Sequence, residues 1–226
     1  SSGGTGVSST SYAFTADAGT PVGTVVTFSL AITGDSSYAN TDTFTVQIGT
    51  PPGGCATDLI ISEYIEGSGS EKYIEIYNGT GSSVDLSLYE LRLYANGASS
   101  PTTTDVLSGT LADGEVMVYR NSSATLYSSA TVSSACNFNG NDAISLYSSG
   151  HVDVIGQIGT DTVWGTSPTS TQNNTLVRKS SITAGDTDGS NSFDPVNEWD
   201  GYAQDTISYL GSHTMDCGGS SSCDDS

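Results

Sequence analysis

The stretch Lys72-Tyr73-Ile74-Glu75-Ile76-Tyr77-Asn78-Gly79-Thr80-Gly81 decides the class of fold. Ile74 and Ile76 fall on one face of an extended chain, and Tyr73, Glu75 and Tyr77 on the other. A period of two marks a strand. Residues 78–81 then supply turn chemistry. Upstream, residues 58–65 read as another strand. Downstream, residues 86–94, 115–119, 143–147, 152–158 and 175–179 read the same way, separated by Gly/Asn/Asp turns at 111–114, 137–142 and 148–150. Many short strands without helical periodicity predict an all-β sandwich.

The pattern also runs ahead of this region. After a Gly/Ser-rich lead over 1–10, strands are expected at 11–16, 24–32 and 43–48. Val26, Phe28, Leu30 and Ile32 share one face against Thr27, Ser29 and Ala31; Phe44, Val46 and Ile48 repeat the pattern after a turn at 34–42. Three strands bury too little to stand alone. This piece is expected to lean on the rest of the chain or on a neighbouring chain. Gly49-Thr50-Pro51-Pro52-Gly53-Gly54 reads as a linker. The expected organisation is an N-terminal β segment over 1–50, a linker over 51–57, a sandwich over 58–213 and a Cys/Gly/Ser/Asp tail over 214–226.

The 226 residues carry 5 Lys+Arg against 25 Asp+Glu, a formal charge of −20, with only 13% charged residues. Five cations cannot neutralise a phosphate backbone, so nucleic acid is excluded as a partner. An anionic membrane surface is disfavoured for the same reason. No apolar run approaches the roughly 18 residues of a membrane span, so no insertion is expected. The chain opens at Ser1 and not at Met, which reads as a processed chain or a piece of a longer one. Four cysteines in a Ser/Thr/Gly-rich chain suggest an exported, cell-surface protein with disulfides. Cys55 and Cys217 bracket the sandwich and are expected to pair. Cys136 then pairs with Cys223 or stays free. Cys223-Asp224-Asp225-Ser226 has the spacing of a prenylation box but aspartates where aliphatic residues belong, so no lipid anchor is expected.

His151 and His213 sit in no catalytic motif, and both are expected in surface or turn positions. The sequence therefore predicts no enzyme. The loop Asp186-Thr187-Asp188-Gly189-Ser190-Asn191-Ser192-Phe193-Asp194 offers the oxygens that calcium prefers. Asp186, Asp188, Asn191 and Asp194 are the candidate ligands, against the alternative of a solvated turn. Asn137, Asn139, Asn141 and Asp142 form a weaker cluster, read as a turn. Glu63 and Glu75 are expected to face Lys72 or Arg92 as ion pairs. Tyr73, Tyr77, Tyr89, Tyr94, Tyr119 and Tyr147 offer either a glycan-binding or partner-binding face, or cross-strand packing. Asn78, Asn121 and Asn173 head N-glycosylation sequons.

Several stretches together resemble the lamin-tail domain family. They are Asp58-Leu59-Ile60-Ile61-Ser62-Glu63, then 72–78, then Val84-Asp85-Leu86-Ser87-Leu88-Tyr89-Glu90-Leu91, then Leu111-Ala112-Asp113-Gly114-Glu115-Val116, then Phe138-Asn139-Gly140-Asn141-Asp142-Ala143-Ile144, and Val152-Asp153-Val154-Ile155-Gly156. The resemblance spans roughly 58–211 and implies an immunoglobulin-like β-sandwich. The ending, Glu198-Trp199-Asp200 through Tyr209-Leu210-Gly211-Ser212-His213, is similar to bacterial secreted members. Such members occur beside extracellular nucleases and proteases or as repeats in surface proteins. A coiled-coil rod, a basic localisation run and a prenylation box are all missing, so the nuclear role of animal lamins does not carry over. The first 50 residues resemble the closing strands of another immunoglobulin-like module. The expected function is a non-enzymatic structural or adhesive subunit at the cell surface, assembling head-to-tail into a filament with itself or binding another extracellular protein or glycan. The alternative is an accessory binding module of a secreted nuclease or protease.

Overall fold

After Glu66 the chain reverses through Gly67-Ser68-Gly69-Ser70-Glu71. Gly69 takes φ 54°, a left-handed conformation that favours glycine, and the Gly67 N–H donates to Glu71 O at 2.8 Å. The hairpin this turn closes lies at the middle of the larger sheet. The computed structural model describes residues 25–33, 39–47 and 54–217. The expected strand at 11–16, Ile48, the linker residues 51–53 and Cys223 lie outside them. The chain divides into two compact units, residues 1–51 and 52–226.

The first unit contains β1 (Val25–Thr33) and β2 (Ala39–Gln47), antiparallel, with Phe28 opposite Phe44 and Thr33 opposite Ala39. The second strand starts inside the expected 34–42 turn, because the ladder continues to Ala39. Val26 and Phe28 are half-buried and Thr27, Ser29 and Ala31 are exposed, as the alternation requires, but Leu30 is 43% exposed.

The second unit holds β3 (Ile60–Glu66), β4 (Lys72–Tyr77), β5 (Val84–Asp85), β6 (Glu90–Tyr94), β7 (Thr103–Val106), β8 (Thr110–Leu111) and β9 (Val116–Arg120). It continues with β10 (Thr131–Val132), β11 (Ala143–Tyr147), β12 (His151–Ile155), β13 (Gly165–Thr166), β14 (Thr169–Ser170), β15 (Asn174–Arg178) and β16 (Trp199–Ala203). One sheet runs β10-β9-β4-β3-β15-β16 and the other β12-β11-β6-β7. Between them lies a core of Leu59, Ile61, Tyr64, Ile74, Ile76, Leu91, Phe138, Ile144, Leu146, Leu176 and Trp199, among others. This is the all-β sandwich that the alternation predicts, of the immunoglobulin-like kind that the resemblance implies.

Two strand boundaries in this unit depart from expectation by three residues or more. The strand expected to begin at Leu86 begins at Glu90, because Asp85 caps a 3-10 turn over Leu86–Leu88 by accepting the Ser87 N–H at 3.0 Å. The strand expected to reach residue 158 stops at Ile155. Gly156 follows with φ 85°, and a side chain there would meet the Trp164 ring at 2.8 Å. Residues 55–56, expected in a linker, are tied into the sandwich: Cys55 is bonded to Cys217, and the Ala56 N–H donates to Gly79 O at 3.1 Å.

Candidate functional site

The loop expected to hold calcium hangs from a charged pair buried between the sheets. Asp153 on β12 and Arg178 on β15 form an ion pair with both side chains at 0% exposure. Asp153 Oδ2 also accepts the Ile61 N–H (2.7 Å), and its Oδ1 accepts the Asp186 N–H (2.9 Å) at the start of the loop. Arg178 Nε donates to Ile61 O (3.0 Å), its guanidinium lies 4.1 Å from the Trp199 ring centre, and Nη1 pairs with Glu198. Burial raises the Glu198 carboxyl above its ordinary value, against the pull of Arg178.

Within the loop the four candidate ligands bond mostly to their own neighbours. Asp186 Oδ1 accepts the Asp188 N–H at 2.9 Å. Asp188 Oδ1 accepts the Ser190 hydroxyl at 2.6 Å and the Ser190 N–H at 3.0 Å, which holds its pKa below the usual carboxylate value. With its amide oriented to satisfy both ends, Asn191 donates to Asp188 O (3.0 Å) and Asp186 Oδ2 (3.1 Å). Asp194 Oδ1 accepts the Val196 N–H (3.2 Å) and caps the turn Pro195–Asn197. Among the described residues, no three His, Cys, Asp or Glu side chains form a group that could hold a metal ion. The loop does border an open cleft of about 350 Å³, lined by Asp186, Asn191, Asp194, Asn197 and Glu198. The weaker cluster is a turn: Asp142 accepts the Asn139 and Asn96 N–H groups, each at 2.7 Å.

His151 is half-buried on β12, and its Nδ1 lies 2.7 Å from Ser145 Oγ. Burial and the Arg92 charge lower its pKa. The pair superficially suggests a nucleophile and base. Ser145, however, is fully buried and lies within bonding distance of Leu146 O (3.1 Å), so no substrate can reach it. His213 is half-buried in the irregular segment after Leu210; its Nε2 is buried without a hydrogen-bond partner, and desolvation lowers its pKa to about 4.

One further expectation is corrected, and the open readings of the tyrosines and the sequons are narrowed. Glu63 and Glu75 face no cation, because Lys72 pairs with Glu66 (2.8 Å) and Arg92 with Glu90 (2.6 Å). They lie opposite one another on β3 and β4 and are both buried. The tyrosine face is not exposed: Tyr73, Tyr77, Tyr89, Tyr94 and Tyr119 are buried, and Tyr147 is half-buried beneath the Arg92 guanidinium. Cross-strand packing is therefore its role. Of the sequons, Asn78 is buried, with its amide donating to Ser82 O and Leu111 O (both 2.8 Å), and the Asn121 amide donates to Cys136 O (2.9 Å). Asn173 is exposed.

Cys55 and Cys217 are joined, with Cα atoms 5.2 Å apart. Cys136 takes the second of its two alternatives, a free thiol buried in the core. Burial pushes its pKa up and keeps it protonated. The Glu63–Glu75 juxtaposition and the buried Arg178 partnership were both missed from sequence. A Glu at matched positions of neighbouring alternating strands was the available signal for the first.

The family model described as Lamin Tail Domain matches residues 55–161, from the first disulfide cysteine to the loop after β12. Neither the curated proteins nor the solved structures include a match to the chain.

Proposed function

We propose that this chain, whose residues 55–161 match the lamin tail domain family, is a non-catalytic structural or adhesive protein of the cell surface whose copies join head-to-tail. The domain type is immunoglobulin-like, non-catalytic and often found in binding or structural roles. The observation that carries the assembly step is the β1–β2 sheet, which has two strands among the described residues. A two-stranded sheet is marginal in water, and further strands added to it supply what it lacks. A strand donated by the next copy makes a heterologous contact, which propagates unless rotation closes a ring. The Cys55–Cys217 bridge supports an oxidising location outside the cytosol. No helix among the described residues is long and apolar enough to cross a membrane. Light scattering and imaging of the purified chain test this reading: it predicts concentration-dependent oligomers and is overturned by a monomer at every concentration.

The second reading, an accessory binding module of a secreted nuclease or protease, is favoured by the Asp186–Glu198 cleft. That cleft adjoins a second groove, lined by Val163, Trp164, Phe193 and Val196, across Phe193 and Asp194.

A further inference from the structure

Residues 204–217 form no regular element, yet they are tied down along their whole length across the outer face of the six-stranded sheet. Asp205 Oδ1 accepts the Ser68 N–H (2.7 Å), and Thr175 Oγ1 donates to Thr206 O (3.0 Å). Leu210 and Ile207 pack with Ile65, Tyr73 and Val118. The Gly211 N–H donates to Glu75 Oε2 (2.6 Å), and His213 meets the Tyr77 ring edge-on, with centroids 5.0 Å apart. The Asp216 N–H donates to Ser180 O (2.6 Å), and Cys217 closes on Cys55.

On this same face lie Glu63 and Glu75, each 1% exposed. Glu75 accepts from Ser62 Oγ (2.8 Å) and from Gly211, whereas neither carboxyl oxygen of Glu63 has a hydrogen-bond partner among the described residues. The other titratable groups on the elements packed around them include Tyr73 and Tyr77 of β4, Arg120 of β9, which donates to Ala130 O and Ala124 O, Tyr202 of β16, Asp205, Tyr209 and His213 of the strap, and Arg178 of β15, whose charge is already taken by Asp153 and Glu198. A buried carboxylate without a cation or donors is too costly to persist, so Glu63 is held uncharged while it stays buried. We propose that residues 204–217 are a proton-gated clasp, closed over β3 and β4 while Glu63 is uncharged and lifted from the sheet when Glu63 ionises beside Glu75, with Cys217 limiting how far it travels.

Burial, reinforced by the neighbouring Glu75, pushes the Glu63 pKa to about 9, and burial pushes that of Glu75 to about 7. The opening, set by Glu63, therefore falls in the mildly alkaline range. Once lifted, the strap uncovers Ile65, Tyr73 and Val118, an apolar patch that the closed form hides.

Amide hydrogen exchange on the full oxidised chain tests the clasp, with rates corrected for the intrinsic pH dependence of exchange. Between pH 5 and pH 9, protection of the 204–216 amides is expected to fall by about tenfold or more, while β11 and β12 keep theirs. In Glu63→Gln, whose side chain cannot ionise, the fall shrinks to about twofold or less. Should that variant not fold, the Glu63→Gln/Glu75→Gln pair, whose amides can bond each other, takes its place. Equal protection at both pH values in the wild type overturns the proposal. So does an equal fall in the neutral variants, or a fall shared by β11 and β12.

Discussion

Arg178 and Asp153 meet between the two sheets as an ion pair with both side chains at 0% exposure. The pair does more than neutralise itself. Through Asp153 it holds the Ile61 and Asp186 N–H groups, and through Arg178 it holds Ile61 O and the Glu198 carboxylate. One buried contact thus fixes the edge of β12 against β3 and β15 and sets the starting point of the Asp186–Asp194 loop.

Removing one partner leaves the other charge buried and uncompensated, which is the costly way to break such a pair. Asp153→Ala is expected to lower unfolding free energy by about 3–5 kcal/mol in urea titration. It also orphans two backbone donors, so Asp153→Asn should cost less. A loss under about 1 kcal/mol for the alanine variant would show the pair to be energetically idle.

The Cys55–Cys217 bridge spans a sequence separation of 162 residues. A loop of that length stabilises by roughly 5 kcal/mol if the effect is chain entropy in the unfolded state. Peptide mapping without reduction should recover this bridge and a free Cys136, alkylated only after denaturation. Reduction should lower the melting temperature. A bridge from Cys55 to Cys136 would contradict the structure.

In the 186–194 loop, Asp188 accepts two bonds from Ser190. Their loss in Asp188→Ala is expected to lower the melting temperature slightly even with chelator present. Calcium is tested in the same melt. An ion bound by Asp186, Asp188, Asn191 and Asp194 would raise the melting temperature of the wild type and not of the variant. An equal response of the two proteins to Ca²⁺ removes the loop as a calcium site.

Glu63 and Glu75 also set the pH profile of stability. Their folded pKa values are raised from 4.5 to about 9 and about 7. Their contribution is thus complete below the unfolded value and is lost as pH rises through 7 and then 9. His213 has the opposite sign: lowered from 6.5 to about 4, it contributes above its unfolded value and loses that contribution as pH falls towards 4. The melting temperature should therefore decline from mildly acidic pH towards pH 9, and Glu63→Gln should flatten that decline. A wild-type profile rising over that range would refute the assignment.

Strands with clear alternation were legible in the sequence: Lys72–Tyr77 and Ala143–Tyr147 occur at the expected positions. Thr103–Val106 and Trp199–Ala203 were not, because their sequences, TTDV and WDGYA, carry no apolar alternation and are placed by pairing with β6 and β15. The loop at 186–194 was visible as an oxygen-rich run. Its dependence on Asp153 and Arg178 was not, since those residues reach it across 33 residues of chain in one case and through a contact between strands of different sheets in the other. The Glu63–Glu75 pair was misread for a physical reason. An acid in a strand is ordinarily matched by a nearby base, but here Lys72 and Arg92 had closer partners in Glu66 and Glu90.

The most direct test of the proposed function is negative-stain imaging with light scattering on the full chain, beside a variant lacking residues 1–50, at matched salt high enough to screen the −20 charge. Head-to-tail oligomers or filaments of the full chain, absent from the variant, are predicted. A full chain that stays monomeric under all conditions, or a variant that assembles equally well, would contradict assembly through β1 and β2.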